Sequence, residues 1–167
     1  MLVDSIEIKI KKDDAMKLIL RRTPLISKID QFNRKIENIH LEYVEYKVLR
    51  FEIISKKKNK NNFRCNDVKH KIIVIVNTYN GHSKSVDDIP ETVRRYIAKG
   101  CIKKSNIKED YIIEKVKNEI IKHFDDKVIN TSIDKKIIKS INLLEISSIY
   151  KTYWIGDYNG KEVFIDA

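Results

Sequence analysis

From Asn38 to Ser55 the chain reads NIHLEYVEYKVLRFEIIS, a run rich in β-branched and aromatic residues with neither glycine nor proline. These residue types fit a pleated, half-buried surface, so the stretch predicts one long strand around which the rest of the chain has to organise. Its apolar parity changes along the way, from Ile39, Leu41 and Tyr43 to Val44, Tyr46 and Val48 and back to Leu49, Phe51 and Ile53. Either a bulge resets the pleat or both faces of the strand are covered. The following KKKNKNNFRCNDV lacks periodicity and reads as a long hairpin tip, after which KHKIIVIVN returns as a strand apolar on both faces. Asn80-Gly81 supplies a two-residue hairpin signal, because both positions tolerate positive φ.

Helices are expected around this spine. SIEIKI (5–10) alternates as a strand, and KKDDAMKLILRR then starts a helix with Asp13 and Asp14 in its first turn and Leu18 and Ile19 on its apolar stripe. Thr23 and Pro24 read as the cap and first residue of a second helical segment carrying Leu25, Ile29, Phe32 and Ile36. DDIPETVRRYIAKG suggests a short connecting helix, with Ile89, Val93 and Ile97 one turn apart and Gly100 as its stop. The clearest helix is EDYIIEKVKNEIIKHF, where Ile113, Val116, Ile120 and Phe124 form one face and Lys115, Glu119 and Lys122 the other. A third helical segment is expected from Ser132 through Ile133, Ile137, Ile138 and Ile141, and two strands around Asn159-Gly160 end the sequence.

With 167 residues, 42% of them hydrophobic and 35% charged, the chain has the composition of a folded protein with a real core. The sequence contains no continuous apolar stretch of membrane-spanning length and its start alternates, which leads to the expectation of a cytoplasmic protein without a transmembrane segment. Cys65 and Cys101 are expected as free thiols. A net charge of +10 would ordinarily point to polyanions or acidic partners. Here 30 Ile, 27 Lys and 13 Asn against 7 Arg and 4 Gly also match the bias of an AT-rich bacterial genome.

The pattern Y-x-x-Y-x-[IV] occurs twice, at Tyr43/Tyr46/Val48 and at Tyr150/Tyr153/Ile155. Ile10-Lys11-Lys12-Asp13-Asp14 resembles Ile107-Lys108-Glu109-Asp110, Thr23 matches Ser132, Ile39 matches Ile146, and Val76-Asn77 matches Ile165-Asp166. The expectation is an α+β fold, an antiparallel sheet with helices packed mainly on one face, made of two degenerate pseudo-repeated halves in one compact domain. Residues 1–89 form the first half with its basic hairpin, 90–100 the connecting helix, and 101–167 the shorter second half. Tyr43, Tyr150, Trp154 and Tyr158 then share a sheet face that helices on the other side leave open, a candidate surface for a protein partner or a homodimer.

The ending Lys161-Glu162-Val163-Phe164-Ile165-Asp166-Ala167 resembles the final strand of PepSY-type modules, and Val74-Ile75-Val76-Asn77-Thr78-Tyr79-Asn80-Gly81 is a looser version of it. The resemblance implies a cystatin-like layout, a helix against an antiparallel sheet, and a regulatory or inhibitory role.

Sites for chemistry are scarce. Neither G-x-x-x-x-G-K-[ST] nor G-x-G-x-x-G is present, His40, His70, His82 and His123 form no H-E-x-x-H, and Cys65, His70 and Cys101 match no standard zinc spacing. Asp87-Asp88 and Asp125-Asp126 read as solvated or capping acids at helix ends. No cofactor is expected. Lys56, Lys57, Lys58, Lys60 and Arg64 cluster at the hairpin tip and could contact polyanions, with Arg94, Arg95, Lys99, Lys103 and Lys104 as a second basic group. Lysine dominance argues against base readout. The resulting expectation is a non-enzymatic protein-binding or regulatory module, with nonspecific nucleic-acid binding through the basic tip as the alternative.

Overall fold

A computed structural model describes residues 1–21, 37–57, 66–130, 136–158 and 161–167. Its strands are β1 (Leu2–Ile6), β2 (Glu37–Lys57), β3 (Asn66–Asn77), β4 (Ser83–Val86), β5 (Thr92–Tyr96), β6 (Ile102–Lys103), β7 (Lys136–Tyr158) and β8 (Lys161–Asp166). Among the described residues its helices are α1 (Lys12–Arg21) and α2 (Glu109–Asn130), and a 3₁₀ turn covers Lys99–Cys101. The hydrogen-bonded order is β4-β3-β2-β7-β1-β5, with β6 also on β2 and β8 also on β7. The class is α+β, but the sheet is mixed where an antiparallel one was expected, because Ser5 pairs with Tyr150, and Tyr43 and Val44 pair with Ile102 and Lys103, in parallel. No helix among the described residues is long and apolar enough to cross a membrane.

The chain divides into two compact units, to both of which β2 and β7 contribute. One comprises Tyr46–Ile89 and Ser105–Ser148. Here β2 and β3 pair without a register break from Tyr46↔Asn77 to Lys57↔Asn66. Val48 and Leu49 are both buried, so the parity switch at this point reflects covering of both faces and not a bulge. Leu49, Phe51 and Ile53 share a face with Val74 and Ile72, and α2 lays Ile112, Val116 and Ile120 onto them at helical spacing. Ile112 thus takes the place expected for Ile113, which is partly buried beside the cluster.

The β3–β4 hairpin is wider than the two-residue turn expected at Asn80-Gly81. The Asn77 N–H donates to the His82 carbonyl, leaving 78–81 as the connection, and Asn77 Oδ1 accepts from the N–H groups of Tyr79 and Asn80. Gly81 closes the turn with φ +73°, and a Cβ there would meet Ile107 Cδ1 at 2.8 Å.

The other unit comprises Met1–Glu45, Pro90–Lys104 and Ile149–Ala167. Ala15 and Ile19 of α1 are fully buried with Ile165 of β8, and Trp154, Val163 and Ile39 pack at the margin. A second cluster joins Val3, Tyr43, Ile97 and Tyr150. Three expectations are corrected. The first strand is Leu2–Ile6 and not 5–10, since Ser5 faces inward and meets Thr152 at 3.4 Å, a polar contact that breaks the apolar alternation. The expected connecting helix over 90–100 is instead β5 followed by the 3₁₀ turn, because Thr92–Tyr96 pairs antiparallel with β1. The expected third helix is contradicted by β7, in which Ile137, Ile138 and Ile141 are strand residues. The expected second helical segment (24–36), most of the hairpin tip (58–65), Ser132 and Ile133, and the Asn159-Gly160 turn lie outside the described residues.

Candidate functional site

Of the aromatic residues expected on an open sheet face, Tyr43 and Tyr150 are enclosed. Tyr43 and Tyr150 are each 9% exposed, enclosed with Val3 and Ile97, so for these two rings the expectation of a free surface is overturned. The strands that cover them, β1 and the end of β5, are the elements the sequence reading misplaced. Trp154 is half-buried and its indole N–H donates to the Ile10 carbonyl at 2.8 Å, a structural tie that holds the chain entering α1. Tyr158 lies in β7 opposite Lys161, and its side chain is outside the described set.

The basic hairpin is described only at its base. Lys56 and Lys57 end β2, with Lys56 exposed, whereas Lys58, Lys60 and Arg64 fall outside the described residues. Along the same hairpin, Lys69 meets Glu52 at 3.9 Å and Lys139 meets Asp67 at 2.9 Å, so part of the local positive charge is matched. Cys101 is a free, half-buried thiol at the 3₁₀ turn, and Cys65 lies outside the described residues.

Lys103 of β6 is a structural cation. Its ammonium lies 2.9 Å from Glu162 and 3.4 Å from Glu42, and 5.1 Å from the centre of the Phe164 ring. Burial works to lower its pKa, but the hydrogen bond to Glu162 and the charges of Glu42 and Glu162 outweigh it, and the net shift is upward from 10.5. A raised cationic pKa means that the cluster stabilises the fold fully at neutral pH and loses that contribution as pH rises through the folded-state value. The stability difference between wild type and Lys103→Gln is therefore expected to stay level from pH 7 to about 10 and to shrink above that. Chemical denaturation across that range measures it, and a difference that already vanishes at neutral pH would show that the lysine contributes nothing.

What sequence reasoning missed is the edge formed by β5. The Ile97 N–H donates to the Met1 carbonyl, and the Met1 nitrogen donates to the Ile97 carbonyl. That fixes Met1↔Ile97 as a hydrogen-bonded pair. In an antiparallel ladder such pairs alternate with non-bonded ones. With the register Leu2↔Tyr96 to Ile6↔Thr92, Val93 and Arg95 then direct their backbone groups to β1, while Thr92, Arg94 and Tyr96 direct theirs outward. Among the described residues no strand pairs with that outer side.

The side chains complete the picture. Leu2, Asp4 and Ile6 share a face with Tyr96, Arg94 and Thr92. Tyr96 is 84% exposed and its cross-strand neighbour Leu2 is 49% exposed, which makes an open apolar pair at one end of the edge. Arg94, with an exposed side chain, lies 3.6 Å from Asp4, an exposed contact that a stronger acidic ligand can replace. Arg95 and Lys99 add positive charge on the same segment. A signal was available in the sequence: TVRRY begins with two β-branched residues and lies two positions after Pro90, a residue tolerated at the start of an edge strand.

Compared with family models, with curated proteins and with solved structures, the chain matches none of them.

Proposed function

We propose that this chain is a non-enzymatic protein-binding module that accepts an extended, acidic segment of a partner protein along β5. The observation that carries the reading is the outward row of backbone donors and acceptors at Thr92, Arg94 and Tyr96. An added strand satisfies such a row with main-chain hydrogen bonds, and side chains alternating above and below it supply specificity. Arg94 and Arg95 select acidic residues in that strand, and Tyr96 with Leu2 offers a place for one aromatic or aliphatic side chain.

A second copy of the chain is a poorer occupant. Antiparallel self-pairing centred on Arg94 sets that arginine opposite its own copy, and directly opposed like charges are destabilising.

A repeated β-α-β-β unit supports the same assignment. Lys12 opens α1 and Glu109 opens α2, 97 positions apart. At that offset the buried Ala15 and Ile19 fall on the buried Ile112 and Val116, and the Ala15→Lys11 backbone bond falls on Ile112→Lys108. Ser5↔Tyr150 and Ile102↔Tyr43 are likewise the same parallel pairing taken from the two halves. Tyr46↔Asn77 corresponds to Tyr153↔Asp166. In this scheme β4 and β5 have no counterparts, so β5 is an addition to the repeated unit at the end of the sheet order, where a binding edge costs the fold least.

A fluorescent peptide alternating Glu with Val and Thr is the direct probe, with its lysine-for-glutamate version as control. Saturable binding of the acidic peptide is expected, with affinity at least about tenfold lower for Arg94→Pro, which removes an outward N–H without touching the ladder to β1. Equal binding of the lysine peptide, or full affinity in Arg94→Pro, overturns the reading. Loss of heparin retention when Lys56, Lys57, Lys58 and Lys60 become Gln, in a protein that ignores the acidic peptide, favours nucleic acid instead.

A further inference from the structure

In the unit built from Tyr46–Ile89 and Ser105–Ser148, α2 does not seal the whole face of the hairpin it covers. A cavity of about 430 Å³ remains between α2, β3 and β4. Its volume is that of an ordinary small-molecule site, and its character is mixed in the manner of such sites. The floor is apolar, formed by Ile72 and Val74 from β3 and Val116, Ile120 and Phe124 from α2.

The polar groups at its border follow from register. His70 pairs with Ile53, so it shares the face of Ile72 and Val74 under α2. Ser85 and Ser83 pair with Val74 and Val76 and therefore turn to the same side. Ser83 Oγ donates to Glu119 Oε2 at 2.5 Å, and Lys115 stands 3.7 Å from the other oxygen of that carboxylate, so Glu119 is already matched. His70 Nε2 is different. It is buried and has no hydrogen-bond partner among the described residues, while its ring lies 6.4 Å from the Phe124 ring. Buried polar atoms in folded proteins are nearly always paired, so an orphan nitrogen on a side chain that lines a cavity is a group that a ligand atom can satisfy once the ring turns toward the open space.

We propose that this cavity binds a small carboxylate with an apolar body, the body lying on Phe124, Ile120 and Val116 and the carboxylate accepting a hydrogen bond from His70 Nε2. The rim groups that make no hydrogen bond or ion pair among the described residues decide the head group. Ser85 has a hydroxyl to donate, His70 and His123 have ring nitrogens, and Lys71 and Lys84 border the cavity with positive charge. A carboxylate only accepts, so it suits a border of donors, and the bond to His70 is strengthened by charge. The site lies on residues that play no part in the β5 edge and stands or falls separately from it.

Octanoate and its uncharged analogue octanamide are the probes, titrated calorimetrically into the full chain. Octanoate is expected to bind saturably and at least about tenfold more tightly than octanamide. His70→Leu is expected to weaken octanoate by a similar factor while raising the melting temperature, because it removes the orphan nitrogen and adds apolar contact. A histidine with a purely structural role would lose stability on that change. Ser85→Phe, at an exposed position on β4, fills the mouth of the cavity and is expected to abolish binding without affecting the fold. Absence of saturable octanoate binding, equal affinity for octanamide, or unchanged affinity in Ser85→Phe overturns the assignment.

Discussion

Phe51→Ala is expected to destabilise the chain by about 3–5 kcal/mol, the usual loss when a fully enclosed aromatic is truncated and the surroundings only partly collapse. Phe51 is 0% exposed, opposes Ile72 across the β2–β3 ladder, and belongs to the cluster that receives Val116 and Ile120 of α2. It touches both layers that the unit is made of, so its removal weakens the hairpin and the docking of the helix together. Urea denaturation should show the midpoint falling with little change in slope. Ile121 is the internal control, as a residue of α2 that is 41% exposed and turned away from the cluster. Ile121→Ala should cost less than about 1 kcal/mol. Comparable losses in the two variants would mean that α2 presents a different face to β2 and β3.

The parts of this fold that could be read in advance are those where two independent local signals agree. In β2 and β3, β-branched and aromatic content coincides with the absence of glycine and proline over a long run. In α2, acidic residues in the first turn precede apolar residues four apart, and the positions that would share their strand face, Glu114 and Asn118, are polar. The misreadings come from an ambiguity of the number four. Ile89, Val93 and Ile97 are one helical turn apart, but they are also all on one side of a strand, and the same holds for Ile133, Ile137 and Ile141. Pairing partners far along the chain settled the first case. β5 is a strand because Leu2–Ile6 is available to it, and Leu2–Ile6 was itself hidden by an inward serine.

One error then produced another at the candidate site. With 90–100 read as a helix, nothing remained to cover Tyr43 and Tyr150, and they appeared free for a partner. With β1 and β5 in place, Val3 and Ile97 close over both rings. Tyr96, on β5 itself, is exposed instead, as is Tyr111 on α2. Burial of a two-faced strand depends on what packs above it, and that information is in the partner strands and not in the strand itself.

The backbone polarity of β5 gives the second large effect. Proline in a strand is harmless only where the N–H it removes was pointing to solvent. Val93 pairs with Ser5 and directs its N–H into the ladder, so Val93→Pro is expected to cost about 3 kcal/mol or more and to loosen β1 with it. Arg94→Pro, one residue on, removes an outward N–H and an exposed contact to Asp4 that is worth little, so it should stay within about 1 kcal/mol of wild type. The contrast is large because adjacent strand residues face opposite neighbours, and no difference in burial, charge or propensity between the two sites would produce it. Thermal denaturation of the pair, with hydrogen exchange at Val3 and Ser5 as the local readout, decides the point. If Arg94→Pro proves as damaging as Val93→Pro, the outer side of β5 is already hydrogen-bonded, and the edge offered to a partner strand does not exist.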